Sequence, residues 1–142
     1  MTSAAVEVLI IDDEPGICIS LQQILVTAGM EASYAVGGAA GLRALQRHDY
    51  QLALVDLNMP DVSGIEVIKT LVRDRPDTSI IVVSGENELD KAIRVLTSGA
   101  QDFIRKPYSP DELLFSIRNV LERRSLALEN REMLNKLKES EA

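Results

Sequence analysis

The stretch that most constrains this chain runs from Gln51 to Gly64, Gln-Leu-Ala-Leu-Val-Asp-Leu-Asn-Met-Pro-Asp-Val-Ser-Gly. Leu52, Ala53, Leu54 and Val55 form an apolar run without polar alternation, as expected of a central parallel strand covered on both faces. The run ends on a carboxylate, Asp56. Pro60 and Gly64 then break the chain into a loop and turn it toward a helical pattern. An ionisable group at the end of a buried strand is unfavourable unless something uses it. In open parallel sheets, ligands bind at the carboxyl ends of the strands. Asp56 is therefore a candidate functional carboxylate.

The rest of the chain repeats this grammar. Val6 to Ile11 is rich in β-branched residues and ends in Asp12-Asp13-Glu14 before Pro15, a second buried strand that delivers carboxylates at its carboxyl end. Pro15 suits the first turn of a helix, with Ile17, Leu21, Ile24 and Leu25 as its core stripe and Gly29 as its end. Ala32 to Val36 predicts a weaker strand, Gly37-Gly38 a turn, and Ala40, Leu42, Ala44 and Leu45 a second helix closing near Asp49. Beyond Asp56, Ile65, Val67, Ile68, Leu71 and Val72 mark a third helix. Ser79 to Val83 is a fourth strand with Ser84-Gly85 at its end. Leu89, Ala92, Ile93, Val95 and Leu96 mark a fourth helix, and Phe103-Ile104 a brief fifth strand leading into Arg105-Lys106-Pro107. Ser109-Pro110-Asp111-Glu112 starts a last helix, with proline at its first position and acids in its first turn. The strict alternation implies a parallel sheet with helices on both faces.

That last helix does not stop where a compact domain would. From Asp111 to roughly Glu141 there is neither glycine nor proline, which predicts about 30 residues of helix, about 45 Å. Leu113, Ser116, Val120, Arg123, Ala127, Asn130, Leu134 and Leu137 recur at spacings of three and four, a heptad-like seam with Asn130 placed to fix register. The first half is expected to pack on the sheet and the second half, from Arg123, to pair with another helix. A charged linker to a further module is the plainer alternative.

Composition narrows the function classes. A chain of 142 residues, 46% apolar, is one domain long and can bury a core. No apolar run reaches membrane-spanning length and the N-terminus lacks a signal-peptide pattern, so the expected location is the cytoplasm. The single cysteine, Cys18, excludes an internal disulfide. A net charge of −7, few aromatics and no tryptophan argue against nucleic-acid binding by this domain. No glycine-rich loop follows the first strand, which excludes a dinucleotide fingerprint.

Strand ends thus collect Asp12, Asp13, Asp56, Ser84 and Lys106, and in a parallel sheet these ends point the same way. Three adjacent carboxylates stay ionised together only around a cation. Oxygen ligands without a Cys/His cluster favour Mg²⁺. A cation, an ammonium, a hydroxyl and a free carboxylate suit a transferred phosphoryl group, with the carboxylate as acceptor. Each residue also has a plainer reading. Asp12 and Asp13 could cap the Pro15 helix, Ser84 could be an ordinary loop serine, Lys106 an ordinary strand-end lysine and Phe103 simple core packing. Convergence favours the site for the first four, and for Phe103 packing comes first. Cys18 and His48 read as structural, and Glu86, Glu88 and Asp90 as a solvated helix start.

Ile10-Ile-Asp-Asp-Glu-Pro15, Val55-Asp-Leu-Asn-Met-Pro-Asp61 with Gly64, Val83-Ser84 and Gly99-Ala-Gln-Asp-Phe-Ile-Arg-Lys-Pro107 together resemble the receiver domain of two-component response regulators. The resemblance covers about Val6 to Arg123 with every motif in order. It implies a flavodoxin-like doubly wound five-stranded parallel sheet of order 2-1-3-4-5, with residues 1–123 as receiver and 124–142 as helical extension. It further implies Asp56 as phospho-acceptor from a histidine kinase or phosphotransfer protein. Mg²⁺ would sit on Asp13, Asp56 and the Asn58 backbone carbonyl, with Asp12 holding a metal-bound water. Lys106, before a cis proline, and Ser84 would contact the phosphoryl group, and Phe103 would be the aromatic switch. The switch would reshape the face of the fourth helix, fifth strand and fifth helix, and dimerisation through that face or the C-terminal helix follows. Three positions depart from the common pattern: Ser84 replaces threonine, Gly85 replaces alanine, and Phe103 lacks a tyrosine hydroxyl. Two other classes compete. An aspartyl hydrolase needs a second carboxylate two residues after its nucleophile, where this chain has Asn58. A phosphorylation-independent adaptor of the same fold would not need the intact acid and lysine set.

Overall fold

The computed structural model describes residues 5–85 and 89–140. Glu86 and Glu88 lie outside the described residues. In chain order the elements are β1 (Glu7–Asp12), α1 (Pro15–Thr27), β2 (Glu31–Val36), α2 (Gly38–Arg47) and β3 (Leu52–Asp56). They continue with α3 (Gly64–Asp74), β4 (Ser79–Ser84), α4 (Leu89–Ser98), β5 (Asp102–Arg105) and α5 (Pro110–Ser140). All strand pairs are parallel, and the sheet order is β2-β1-β3-β4-β5. This is the doubly wound arrangement that the alternation of strands and helices implied.

Parity along the strands divides the core in two. Leu9, Ile11, Ala53, Val55, Ile80 and Val82 point to one face, where Leu45 of α2, Val67, Ile68 and Leu71 of α3, and Val95 of α4 cover them. Val8, Ile10, Leu52, Leu54 and Ile81 point to the other, against Cys18, Leu21 and Leu25 of α1 and Leu113, Ile117 and Val120 of α5. Every residue of β3 and β4 is buried, so neither strand alternates with polar residues. β2, at the sheet edge, keeps only Ala35 fully buried, which is why its sequence signal is weak.

Local chemistry sets the element ends. α1 starts at Pro15 and is closed by Gly29, whose φ of +92° is in the left-handed region. α3 carries its own cap, the Ser63 hydroxyl accepting from the Glu66 amide at 3.3 Å. Ser109 does the same for α5 through the Glu112 amide at 3.2 Å. Asp12 does not cap the helix proper. It accepts from the amide of Glu14, the residue before the first turn, at 3.0 Å.

The seam of α5 divides between two environments. Leu113, Ser116 and Val120 are buried in the domain, with Ser116 donating to Asp102 at 2.5 Å, so a partner helix cannot use them. Beyond them α5 still touches the domain: Arg124 donates to the Asp77 carbonyl at 2.9 Å and Arg131 pairs with the Asp77 carboxylate at 3.1 Å. Leu126, Met133, Leu134 and Leu137 are exposed.

Candidate functional site

Register builds the site. Ile11 pairs with Val55, which brings the next residues of β1 and β3, Asp12 and Asp56, side by side. Asp56 in turn pairs with Val83, and Ser84 pairs with Arg105, so Ser84 and Lys106 follow at the same end of the sheet. The carboxylates of Asp12, Asp13 and Asp56 offer oxygens that all lie within 4.8 Å of one another. Asp12 and Asp56 are buried and Asp13 is half-buried. The Lys106 ammonium stands 3.6 Å from Asp56 and 4.0 Å from Asp12. The Lys106–Pro107 peptide bond is cis.

This cluster is electrostatically incomplete by itself. Burial and the neighbouring Asp12 charge push the Asp56 carboxyl up to about 6, and Lys106 and the Asn58 amide pull it back only in part. Burial likewise raises Asp12, against the pull of the Glu14 amide and Lys106. Two raised acids beside a third are groups that a bound cation would hold ionised. Three carboxylates without nitrogen or sulfur ligands fit a hard divalent cation such as Mg²⁺. Ser84 adds a second incomplete feature: its Oγ is fully buried and, among the described residues, makes no hydrogen bond. A buried hydroxyl normally has a partner, so this one has an acceptor still to gain.

The remaining candidates take less central places. Asn58 is exposed and its amide donates to Asp56 at 3.4 Å. Phe103 is half-buried and packs with the α2–α4 side of the core. Cys18 donates to the Asp12 carbonyl at 3.6 Å, and burial pushes its thiol up to about 11, so it is a neutral packing residue. His48 pairs with Glu7 at 3.0 Å and meets the Tyr50 ring edge-on, a structural place at the far end of the sheet. Sequence reasoning missed Tyr108, whose phenol is pushed up by burial and by the charges of Asp12 and Asp56. It also missed Asp61, whose carboxylate caps α2 from 22 and 23 residues away. The available signal for Asp61 was a negative one: α2 opens on Gly37-Gly38 with no capping side chain of its own.

The family model of the response regulator receiver domain matches residues 8–118. The chain belongs to that family. It is a receiver domain of two-component response regulators, a signalling domain. This receiver is 36% identical over 129 residues to the C4-dicarboxylate transport transcriptional regulatory protein DctD of Pseudomonas aeruginosa, over 90% of this chain and 28% of that protein. It is 34% identical over 116 residues to the cell cycle transcriptional regulator CtrA of Caulobacter vibrioides, over 82% of this chain and 50% of that protein. The receiver thus spans half or less of the length of these two relatives. Among solved structures, the response regulator receiver domain protein from Methanospirillum hungatei JF-1 matches with a TM-score of 0.83 and 31% identity. That match covers 87% of this chain and 99% of that one. NtrX from Brucella abortus matches with a TM-score of 0.87 and 25% identity, over 92% of this chain and 30% of that one. Among the described residues, no helix of the receiver is long and apolar enough to cross a membrane.

Proposed function

We propose that this receiver accepts a phosphoryl group on Asp56 from the phosphohistidine of a partner kinase or phosphotransfer protein, with Mg²⁺ bound at Asp13, Asp56 and the Asn58 carbonyl. The observation that carries the reading is the meeting, at a single sheet end, of three carboxylates, one ammonium and one buried hydroxyl that has no partner among the described residues. An Asp56 carboxylate oxygen attacks phosphorus, the P–N bond to imidazole breaks, and an acyl phosphate forms on Asp56. The imidazole leaves with the bond's electron pair and takes up a proton. When bound, Mg²⁺ neutralises phosphoryl oxygens and the carboxylates around them. Asp12 would hold a metal-bound water. Lys106 adds fixed positive charge beside the acceptor, and Ser84 donates its hydroxyl to a phosphoryl oxygen. The domain is not an enzyme acting on other substrates: it is consumed by the transfer and restored by hydrolysis of its own acyl phosphate.

The added charge, roughly one to two negative units, is the signal. Ser84 moves to meet it, Phe103 turns inward, and the α4–β5–α5 face changes. Residues 1–123 form the receiver, and residues 124–142 carry the change onward as a helical extension, through dimerisation or an attached output module. The receiver works in the cytoplasm. Incubation with labelled phosphohistidine donor tests the acceptor: label must enter the wild-type chain and fail to enter Asp56→Asn. Label that persists in the variant places the acceptor elsewhere.

A further inference from the structure

The first turn of α2 takes its cap from a distant part of the chain. Its N-cap is Gly37, with φ of +98°, and its first turn holds no acidic residue. The amide of Gly38 donates to Oδ1 of Asp61 at 3.1 Å and the amide of Ala39 to Oδ2 at 3.0 Å. One carboxylate thus satisfies two of the orphan donors of a helix start. The Ala39, Val62 and Gly38 amides hold the Asp61 carboxyl down at about 2, so it stays charged throughout the neutral range.

The same junction reaches the acid cluster from the other side. The Gly37 amide donates to the Asp12 carbonyl at 2.9 Å. A Cβ on Gly38 would lie 2.4 Å from the Val62 carbonyl oxygen and 2.8 Å from the Val62 Cβ, so glycine is what lets α2 sit against the loop. That loop, residues 57–63, carries Asn58. At its ends it is tied by the Leu57 amide to the Val83 carbonyl at 3.2 Å and by the Gly64 amide to the Leu57 carbonyl at 3.1 Å. At its crown it is tied by Asp61. The start of α2 therefore bridges the two strand ends that bear Asp12 and Asp56.

We propose that Asp61 is a positioning residue: it anchors the 57–63 loop to α2 and thereby fixes Asn58 against the Asp12–Asp13–Asp56 cluster. This rests on the reading of that cluster as the Mg²⁺ and phosphoryl site. The full chain and its Asp61→Ala, Asp61→Asn and Gly38→Ala variants provide the test, through Mg²⁺ calorimetry and amide hydrogen exchange of the metal-free proteins. Asp61→Ala is expected to weaken Mg²⁺ binding roughly tenfold, the low end for groups that orient metal ligands. It is also expected to speed exchange at Asn58 as well as at Gly38 and Ala39. Asp61→Asn, which keeps one acceptor oxygen, falls between. Gly38→Ala pushes the loop off α2 by contact alone and weakens Mg²⁺ in the same way, which keeps the test open should Asp61→Ala fail to fold. A lowered melting temperature with unchanged Mg²⁺ affinity and unchanged Asn58 exchange overturns the proposal and leaves Asp61 a cap only. Absence of Mg²⁺ binding by the wild-type chain is a different failure. It removes the reading of the acid cluster itself, and this proposal with it.

Discussion

The Lys106 ammonium lies 3.6 Å from Oδ1 of Asp56, and yet it does not win the local electrostatic balance. Burial and the Asp12 charge outweigh it, and the Asp56 carboxyl remains at about 6. Lys106 is partly exposed, with 31% of its side chain open to water, which screens its effect. Removing it leaves three crowded acids with no cation of the protein's own. In Lys106→Ala, the Asp56 titration is expected to move further up. Phosphorylation by a small acyl phosphate is expected to slow by roughly a hundredfold, the scale for losing one charge-stabilising group. Carbon NMR of labelled aspartate reads the first and gel-shift kinetics the second. An unmoved Asp56 titration would remove Lys106 from the site.

Stability should fall with rising pH in the metal-free protein. Asp56 has a folded-state value of about 6 against an ordinary 3.8. Between those values the folded chain holds a proton that the unfolded chain has released, so stability declines through that window and stays low above it. Asp12, also raised by burial, acts in the same direction. The Asp56 contribution is at most about 3 kcal/mol. Asp56→Asn should therefore flatten the pH slope and raise the melting temperature at neutral pH. Added Mg²⁺ should raise the wild-type melting temperature at neutral pH and have little effect below the ordinary carboxylate range. Thermal melts by circular dichroism across acid to neutral pH check both, and a metal-free melting temperature that rises through the window contradicts the account.

Much of this arrangement was legible because the signals are local and repeated. Apolar runs that end on Asp12, Asp56 and Ser84 mark both the strands and their polar tips, whereas the strand order was implied only by the family resemblance. What stayed hidden depends on contacts far apart in sequence. Asp61 reaches α2 across 22 and 23 residues, and Asp77 takes Arg131 across 54. Neither pairing leaves a periodic trace. The α5 seam reads alike along its whole length, although its two halves lie in different surroundings. Spacings of three and four continue unbroken from Leu113 to Leu137, while the surroundings change from sheet to solvent near Arg123.

Ser84 separates stability from function. Among the described residues its buried Oγ makes no hydrogen bond, and an unsatisfied buried hydroxyl costs roughly 1–3 kcal/mol. Ser84→Ala should accordingly leave the metal-free protein as stable as the wild type or more so, while weakening its response to beryllofluoride, a phosphoryl mimic. Urea melts and fluorine NMR of the bound mimic give the two readouts. A clear loss of stability in Ser84→Ala would mean that the hydroxyl already has a partner.

Gly64 guards the geometry behind Asp56. A Cβ there would lie 2.4 Å from the Asp56 carbonyl oxygen and 2.6 Å from the Leu57 Cα, both backbone atoms that side-chain rotation cannot clear. Gly64→Ala must move the strand end or the start of α3. It is expected to destabilise the fold by roughly 1–3 kcal/mol, the scale of overpacking, and to impair Mg²⁺ binding in the molecules that remain folded. Urea melts and calorimetry together test this, and an unchanged midpoint would show that the loop absorbs the methyl group.

Pairing of the α5 extension has one face left to use. Arg124 and Arg131 turn toward Asp77, and Leu126 and Met133, each two positions further on, lie roughly 200° around the helix from them. Both are exposed, at 53% and 64%, so charging them should leave the monomer's melting point nearly unchanged, within about 0.5 kcal/mol of stability. If the extension joins two receivers, those side chains are buried in the pair. The double variant Leu126→Glu, Met133→Glu should then be monomeric under conditions where the beryllofluoride-treated wild type sediments as a dimer. Asp77→Ala acts in the opposite sense. It frees Arg131 while keeping the apolar face, so dimerisation should survive it, with the exposed ion pair contributing less than about 1 kcal/mol to stability. A dimer that persists in the double variant would move the interface away from the extension and onto the α4–β5–α5 face.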